Sequence, residues 1–228
     1  MTAFFSWLIH SDGGLLVRIG LGVAIFAWLA ILDLRRNGRE ARRWREYLLL
    51  VACVGVALMY GIINDQLTVT ISREYFLYGK GVAETLRTDT PTESAMRWEA
   101  VKVGMKATWS AGLIIGVILL FANNPRKDLP PLPFARVYRL LPIMIILPAA
   151  CAAILGIIGY LGCLTWLNDY FALLIRDNIW RPYRFMAVYG MHLGGYIGGA
   201  LAAIIAAILI RRERRKAITT PLPAASHP

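Results

Sequence analysis

Residues 185–210 read FMAVYGMHLGGYIGGALAAIIAAILI, and this stretch decides the class of fold. It contains no Asp, Glu, Lys or Arg. Because an α-helix rises about 1.5 Å per residue, a helix over this range is long enough to cross the ~30 Å hydrocarbon core of a bilayer. An arginine-rich segment, RRERRK at residues 211–216, follows immediately. The stretch therefore predicts a membrane-spanning helix that ends in charged residues.

Four further apolar windows predict that the chain crosses the membrane five times. The predicted spans are residues 15–34, 47–63, 103–122, 140–166 and 185–210. The composition agrees with this, because 57% of the 228 residues are hydrophobic and 17% are charged. These values exclude a soluble enzyme, a disordered chain and a small disulfide scaffold. We expect an all-α membrane protein with a single transmembrane domain, residues 1–228, that ends in a tail over residues 211–228.

The basic residues predict how the spans are oriented. The loops at 35–46 and 123–139, together with the tail from residue 211, carry 15 of the 25 Lys and Arg residues. The positive-inside rule places these three segments in the cytoplasm and the N-terminus outside. The net charge of +11 is thereby explained by topology and contact with the lipid bilayer, and we expect no nucleic-acid partner.

Two outer segments are predicted to have structure of their own. Residues 67–72, LTVTIS, alternate apolar and polar side chains, which favours a short extended segment, and the aromatic residues at 75–78 are typical of an anchor at the interface. A capping motif beginning at Thr90 predicts a helix that runs unbroken over residues 91–123. Residues 168–180 have the pattern of an amphipathic helix on the outer surface.

Small residues predict how the last span packs. Gly190, Gly194 and Gly198 recur every four residues, and Gly195 with Gly199 forms a second row beside them. Glycine at this spacing lets a second helix approach closely within lipid. Packing inside the chain is the favoured interpretation. The alternative is that the same glycines, which we call the glycine seam, hold a homo-oligomer or another protein partner.

Ionisable residues inside spans indicate a candidate site, because burying a charge in lipid is costly. Arg18, Lys106 and His192 each lie one or two turns inside the predicted outer end of a span. The candidate residues are Arg18, Asp65, Gln66, Glu74, Lys106 and His192. We expect a polar cluster that links Asp65 and Glu74 to at least one of the three basic residues. The alternative is that Arg18 and Lys106 extend independently to the outer headgroups.

Neither a metal nor a cofactor is expected at this cluster. The cysteines and histidines are scattered along the sequence, without a spacing typical of zinc or haem ligands. Asp65, Glu74 and His192 likewise lack a short-range spacing that would enforce ligand geometry.

Several short motifs resemble the signature of a diffuse group of uncharacterised bacterial multipass integral membrane proteins. They are YGIINDQLT at residues 60–68, EYF at 74–76, Gly79-Lys80, the segment 104–116 with Trp109, and residues 192–199. In that group an Asp-Gln-x-Thr stretch leads to Glu-Tyr-Phe, but many members have His, Arg and Cys where this sequence has Asn64, Thr70 and Ser72. The resemblance implies that the outer segment from Asp-Gln to Glu-Tyr-Phe belongs to the common core of that group, and it transfers no activity. We expect the chain to lie in the inner membrane of a bacterium.

Two classes of function remain open from the sequence. The first is a non-enzymatic subunit, scaffold or small transporter-like bundle whose outer polar site binds a partner or solute. The alternative is a membrane-embedded enzyme that uses Asp65 or Glu74 with His192 as acid and base on a lipid or periplasmic substrate. The sequence contains no nucleophile elbow, HExxH motif or phosphate loop, which favours the first class.

Overall fold

A computed structural model of the chain describes residues 7, 11–125, 129–164, 166–167 and 179–219. Within these ranges, five helices are long and apolar enough to cross a membrane. They are α1 (Asp12–Asn37), α2 (Arg43–Ile71), α3 (Glu93–Asn123), α4 (Ile143–Tyr160) and α5 (Pro182–Thr219). The protein is therefore an all-α, multipass membrane protein whose apolar helices contact the lipid bilayer, as the sequence predicts.

Short helical turns complete the described connections. They are the 3-10 turn Gly38–Glu40, the π-helical turn Tyr75–Gly79 and the short helices Val82–Leu86 and Phe134–Tyr138. We call the end of the bundle where α2 finishes and α3 and α5 begin the Asp65 end. The opposite end, where α3 finishes and α5 carries its arginines, is called the arginine end.

The extended segment predicted over residues 67–72 is wrong, because α2 continues as a helix to Ile71. The threonine hydroxyls of this segment form hydrogen bonds to carbonyl oxygens of the preceding turn. Thr68 donates to the Asn64 carbonyl at 2.9 Å, and Thr70 donates to the Leu67 carbonyl at 2.5 Å. Alternation over six residues is a weak signal, and the helix that enters this segment extends through it.

Helix α3 is continuous to Asn123, as predicted, but it begins later than the capping motif suggests. Thr92 is the N-cap, and its hydroxyl accepts a hydrogen bond from the Ala95 backbone N–H at 3.3 Å. The predicted cap, Thr90, lies two residues before this position. Residues 211–219, predicted as part of the tail, continue α5. Residues 168–178 of the predicted amphipathic helix lie outside the described part of the chain.

The membrane-spanning helices pack as two close pairs, α2 with α3 and α4 with α5, and glycines form both contacts. A Cβ atom placed on Gly61 of α2 would lie 2.6 Å from the carbonyl oxygen of Gly104 in α3. A Cβ on Gly198 of α5 would lie 2.5 Å from the Cα of Pro148 in α4. Such distances leave no room for a side chain, so these backbones approach each other directly.

The row Gly190, Gly194 and Gly198 is therefore occupied by α4 of the same chain. A Cβ on Gly190 would collide with the Leu155 carbonyl oxygen, and one on Gly194 with the Cys151 carbonyl oxygen. This row of the glycine seam therefore packs against another helix of the same bundle.

Two hydrophobic clusters join the pairs, one near each end of the bundle. Leu119, Val137 and Ile210 are fully buried in the cluster at the arginine end. Phe76, Met96 and Phe185 form the centre of the cluster at the Asp65 end. Helix α1 lies outside the pairs, and only 6% of its apolar window is buried. Between the two clusters the helix pairs separate.

Arg214 fixes the arginine end. Its guanidinium group is buried and donates hydrogen bonds to the carbonyl oxygens of Ala122, Asn124, Leu129 and Pro130. The loop that follows α3 is thus held against α5. Arg214 belongs to the basic segment that the sequence assigns to the cytoplasmic tail, yet it serves here as a structural residue.

Candidate functional site

A groove lies between the two helix pairs and has a volume of about 510 Å³. Most of its walls are apolar, formed by residues such as Ala57, Ala111, Ile118 and Ala203 from α2, α3 and α5. We call this cavity the groove throughout. The groove exists because small residues face it, including Gly199, where a Cβ atom would meet nothing within 4 Å. The second glycine row predicted from the sequence, Gly195 and Gly199, therefore lines the groove and does not pack against α4.

The polar side chains among the described lining residues lie toward the Asp65 end. They are Tyr60, Asn64, Asp65, Thr108, His192 and Tyr196. They come from residues 60–65 of α2, from the midpoint of α3 and from residues 192–196 of α5. The groove therefore has apolar walls and one polar end, and it lies within the membrane-spanning bundle.

Asp65 and His192 form the centre of this polar end. The His192 Nε2 atom lies 3.7 Å from Asp65 Oδ1, and the two side chains are 6% and 3% exposed. Asp65 Oδ1 accepts a hydrogen bond from the Asn64 side-chain amide at 3.1 Å. Among the described residues, neither Asp65 Oδ2 nor His192 Nε2 has a hydrogen-bond partner, and the same holds for the Tyr60 hydroxyl.

Buried polar atoms without partners are unusual, since each costs about 1–3 kcal/mol when desolvated. Three of them at one end of a groove provide hydrogen-bonding groups that a bound molecule could satisfy. Because Asp65 and His192 lie on α2 and α5, the site depends on how the two helix pairs are held together.

Aromatic residues hold the histidine in place. The Tyr75 ring stacks on His192 at a centroid distance of 4.9 Å, and the Phe76 ring meets it edge-on at 6.0 Å. Both come from the π-helical turn Tyr75–Gly79, which folds over the Asp65 end of the bundle. The interface anchor predicted for these aromatics is wrong for this pair, because Tyr75 and Phe76 are 5% and 0% exposed.

Lys80 is a charged neighbour that the candidate set does not include. Its Nζ atom lies 5.4 Å from the centroid of the Tyr75 ring. Burial lowers the pKa of the Lys80 ammonium, and the Asp65 carboxylate partly opposes this by raising it. Lys80 therefore acts electrostatically on the buried site from outside the groove. The sequence shows this lysine only within the Gly79-Lys80 motif that ends the aromatic stretch.

Glu74 and Gln66, predicted as site residues, lie elsewhere. The Glu74 carboxylate accepts hydrogen bonds from the backbone N–H groups of Trp180 and Arg181, at 2.5 and 3.1 Å, where the chain enters α5. Gln66 donates to the Arg97 carbonyl oxygen at 2.8 Å and so connects α2 to α3. Both residues hold segments together and neither lines the groove.

Arg18 and Lys106 are also separate from the Asp65–His192 pair. The Arg18 guanidinium lies 5.5 Å from the Trp109 ring centroid, on the α1 side of the bundle. Lys106 is exposed on α3 and does not line the groove. Of the six candidates, the structure brings together Asp65 and His192. In the described part of the chain, no three His, Cys, Asp or Glu side chains come close enough to hold a metal ion.

Comparison of the chain with family models, with curated proteins and with solved structures gave no match. The resemblance to bacterial membrane proteins therefore stays a prediction, and any function rests on the geometry of the site.

Proposed function

We propose that this protein is a non-enzymatic, small transporter-like bundle that binds a lipophilic molecule in the groove, with the polar group of that molecule at Asp65 and His192. One observation carries the proposal: an apolar cavity of about 510 Å³ ends at buried polar atoms that have no partner among the described residues. Ligand sites are typically cavities of roughly 300–1,000 Å³ with apolar walls and a few convergent polar groups.

The polar end decides which molecule the groove prefers. A lipophilic molecule reaches the groove from the bilayer, where its apolar body is already out of water, so the hydrophobic effect contributes little to transfer. Packing holds the apolar body, and hydrogen bonds to Asp65, His192 and Tyr60 provide the selectivity. A ligand that satisfies these atoms also removes the cost of leaving them unpaired.

The location proposed for the bundle is the inner membrane of a bacterium, with the N-terminus outside and the C-terminus in the cytoplasm. The excess of Lys and Arg in the loops and tail at the arginine end supports this orientation. In this orientation the polar end of the groove lies toward the outer leaflet.

A second candidate function is the membrane-embedded enzyme, and the 3.7 Å approach of His192 to Asp65 favours it. An acid and a base this close could move a proton on a lipid held in the groove. Under this alternative, lipid extracts incubated with the protein should contain a new product that Asp65→Asn abolishes.

The proposal is tested by filling the groove. Gly199→Leu should place a side chain in the cavity, because Gly199 lines the groove and no atom lies within 4 Å of the added Cβ. Gly20→Leu is the matched control, since Gly20 has equal space and does not line the groove. We expect lipophilic molecules that co-purify in an uncharged detergent to be lost from Gly199→Leu and kept by Gly20→Leu, as measured by native mass spectrometry. Equal retention by the two variants would contradict the proposal.

A further inference from the structure

One of the described residues that line the groove is acidic. Asp65 is the single carboxylate among the described lining residues, and no Lys or Arg is among them. The carboxylate is 3% exposed, with Oδ1 bonded to Asn64 and Oδ2 without a partner among the described residues. A carboxylate in low dielectric is stable as an anion when a cation lies close to it.

Within the described part of the chain, no permanently charged basic side chain lies inside the groove next to Asp65. His192 is 3.7 Å away and carries charge only when protonated. Lys80 interacts with Asp65 electrostatically, but its Nζ atom is held over the Tyr75 ring and Lys80 does not line the groove. The site therefore has a buried carboxyl group whose nearest permanent positive charge lies outside the cavity.

We propose that the groove selects amphiphiles with a protonated amine, and that Asp65 Oδ2 is the counter-ion and hydrogen-bond acceptor for the ammonium group. This inference rests on the proposed function and names its substrate class. The ammonium N–H donates to Oδ2, and the alkyl body lies along the apolar walls. The hydroxyl of Tyr60 and the ring of Tyr196, which line the same end, also favour a cation.

The experiment compares two probes with the same alkyl chain. Dodecylamine is protonated at neutral pH, since alkylammonium groups have a pKa of about 10, whereas dodecanol is uncharged. Binding of each to the full chain in an uncharged detergent is measured by native mass spectrometry. Partition into micelles is the same for every variant, so differences between variants report the site.

We expect Asp65→Asn to weaken dodecylamine binding about 30-fold and to change dodecanol binding less than about 3-fold, because only the amine loses a buried charge partner. Glu213→Gln, which removes a carboxylate at the arginine end, is the control and should change neither. Lys80→Met should strengthen dodecylamine binding, since it removes a positive charge that competes with the ammonium group of the amine for Asp65. This second variant keeps the test valid should Asp65→Asn fold poorly.

The outcomes separate the two proposals. Equal binding of amine and alcohol, both lost in Gly199→Leu, would overturn the amine preference and leave the groove as a binding site. Unchanged or weaker amine binding in Lys80→Met would likewise overturn the role of Asp65 as counter-ion. Binding of both probes that Gly199→Leu does not affect would overturn the proposed function itself.

Discussion

The same substitution at two adjacent glycines of α5 should destabilise the protein at Gly198 and leave its stability nearly unchanged at Gly199. Gly198→Leu adds a Cβ atom 2.5 Å from Pro148 Cα and 2.8 Å from the Leu147 carbonyl oxygen. Ordinary contact needs about 3.5 Å, so α4 and α5 must separate by about 1 Å, and the contacting atoms are backbone that cannot turn aside. Since overpacking commonly costs 1–3 kcal/mol when side chains can adjust, we expect a loss of about 3 kcal/mol or more.

The assay is thermal unfolding of the purified protein in detergent. Gly199→Leu, one residue along, should unfold near the wild-type temperature because its Cβ meets nothing within 4 Å. Ile204→Leu is a second control that changes little volume at a groove-lining position. Equal melting temperatures for Gly198→Leu and Gly199→Leu would refute the assignment of the two glycine rows to the α4 contact and to the groove.

Three further predictions concern the ends of the bundle. Arg214→Met should lower the free energy of unfolding by about 3–5 kcal/mol, because it leaves buried carbonyl oxygens without a donor, and Arg214→Lys should restore little of it in the same thermal assay. Glu74→Ala should cost about 1–2 kcal/mol by removing the acceptor for two backbone N–H groups at the start of α5, whereas a change near zero would show that water replaces it. Reporter fusions near Gly38 should give a cytoplasmic signal and those near Thr88 an external one, and the reverse pattern would contradict the proposed orientation.

The five spans could be predicted from the sequence because a bilayer imposes a length and an apolar composition on each helix. The glycine repeat also indicated which face of α5 meets another helix. The end of α2 could not be predicted in the same way, since residues 67–71 continue the helix although their pattern resembles a strand. The physical reason is that hydrogen bonds within an existing helix outweigh weak local preferences.

The site could be predicted only in part, because sequence gives the depth of a residue and not the direction it faces. Arg18, Lys106 and His192 share a predicted depth, yet only His192 faces Asp65. Glu74 is close to Asp65 in sequence, but its partners are more than a hundred residues further along the chain. Which helices pair, and how each is rotated, depends on contacts such as that between Gly61 and Gly104.

Photolabelling tests the central claim most directly, namely that the groove holds a lipophilic molecule with its polar group at Asp65 and His192. The probe is a dodecylamine that carries a diazirine at its distal carbon, and mass spectrometry of peptides maps the label. We predict labelling of residues 111–118 in α3 and 199–204 in α5, lost in Gly199→Leu and kept in Gly20→Leu. Label spread along the exposed apolar face of α1, with no effect of Gly199→Leu, would contradict the account.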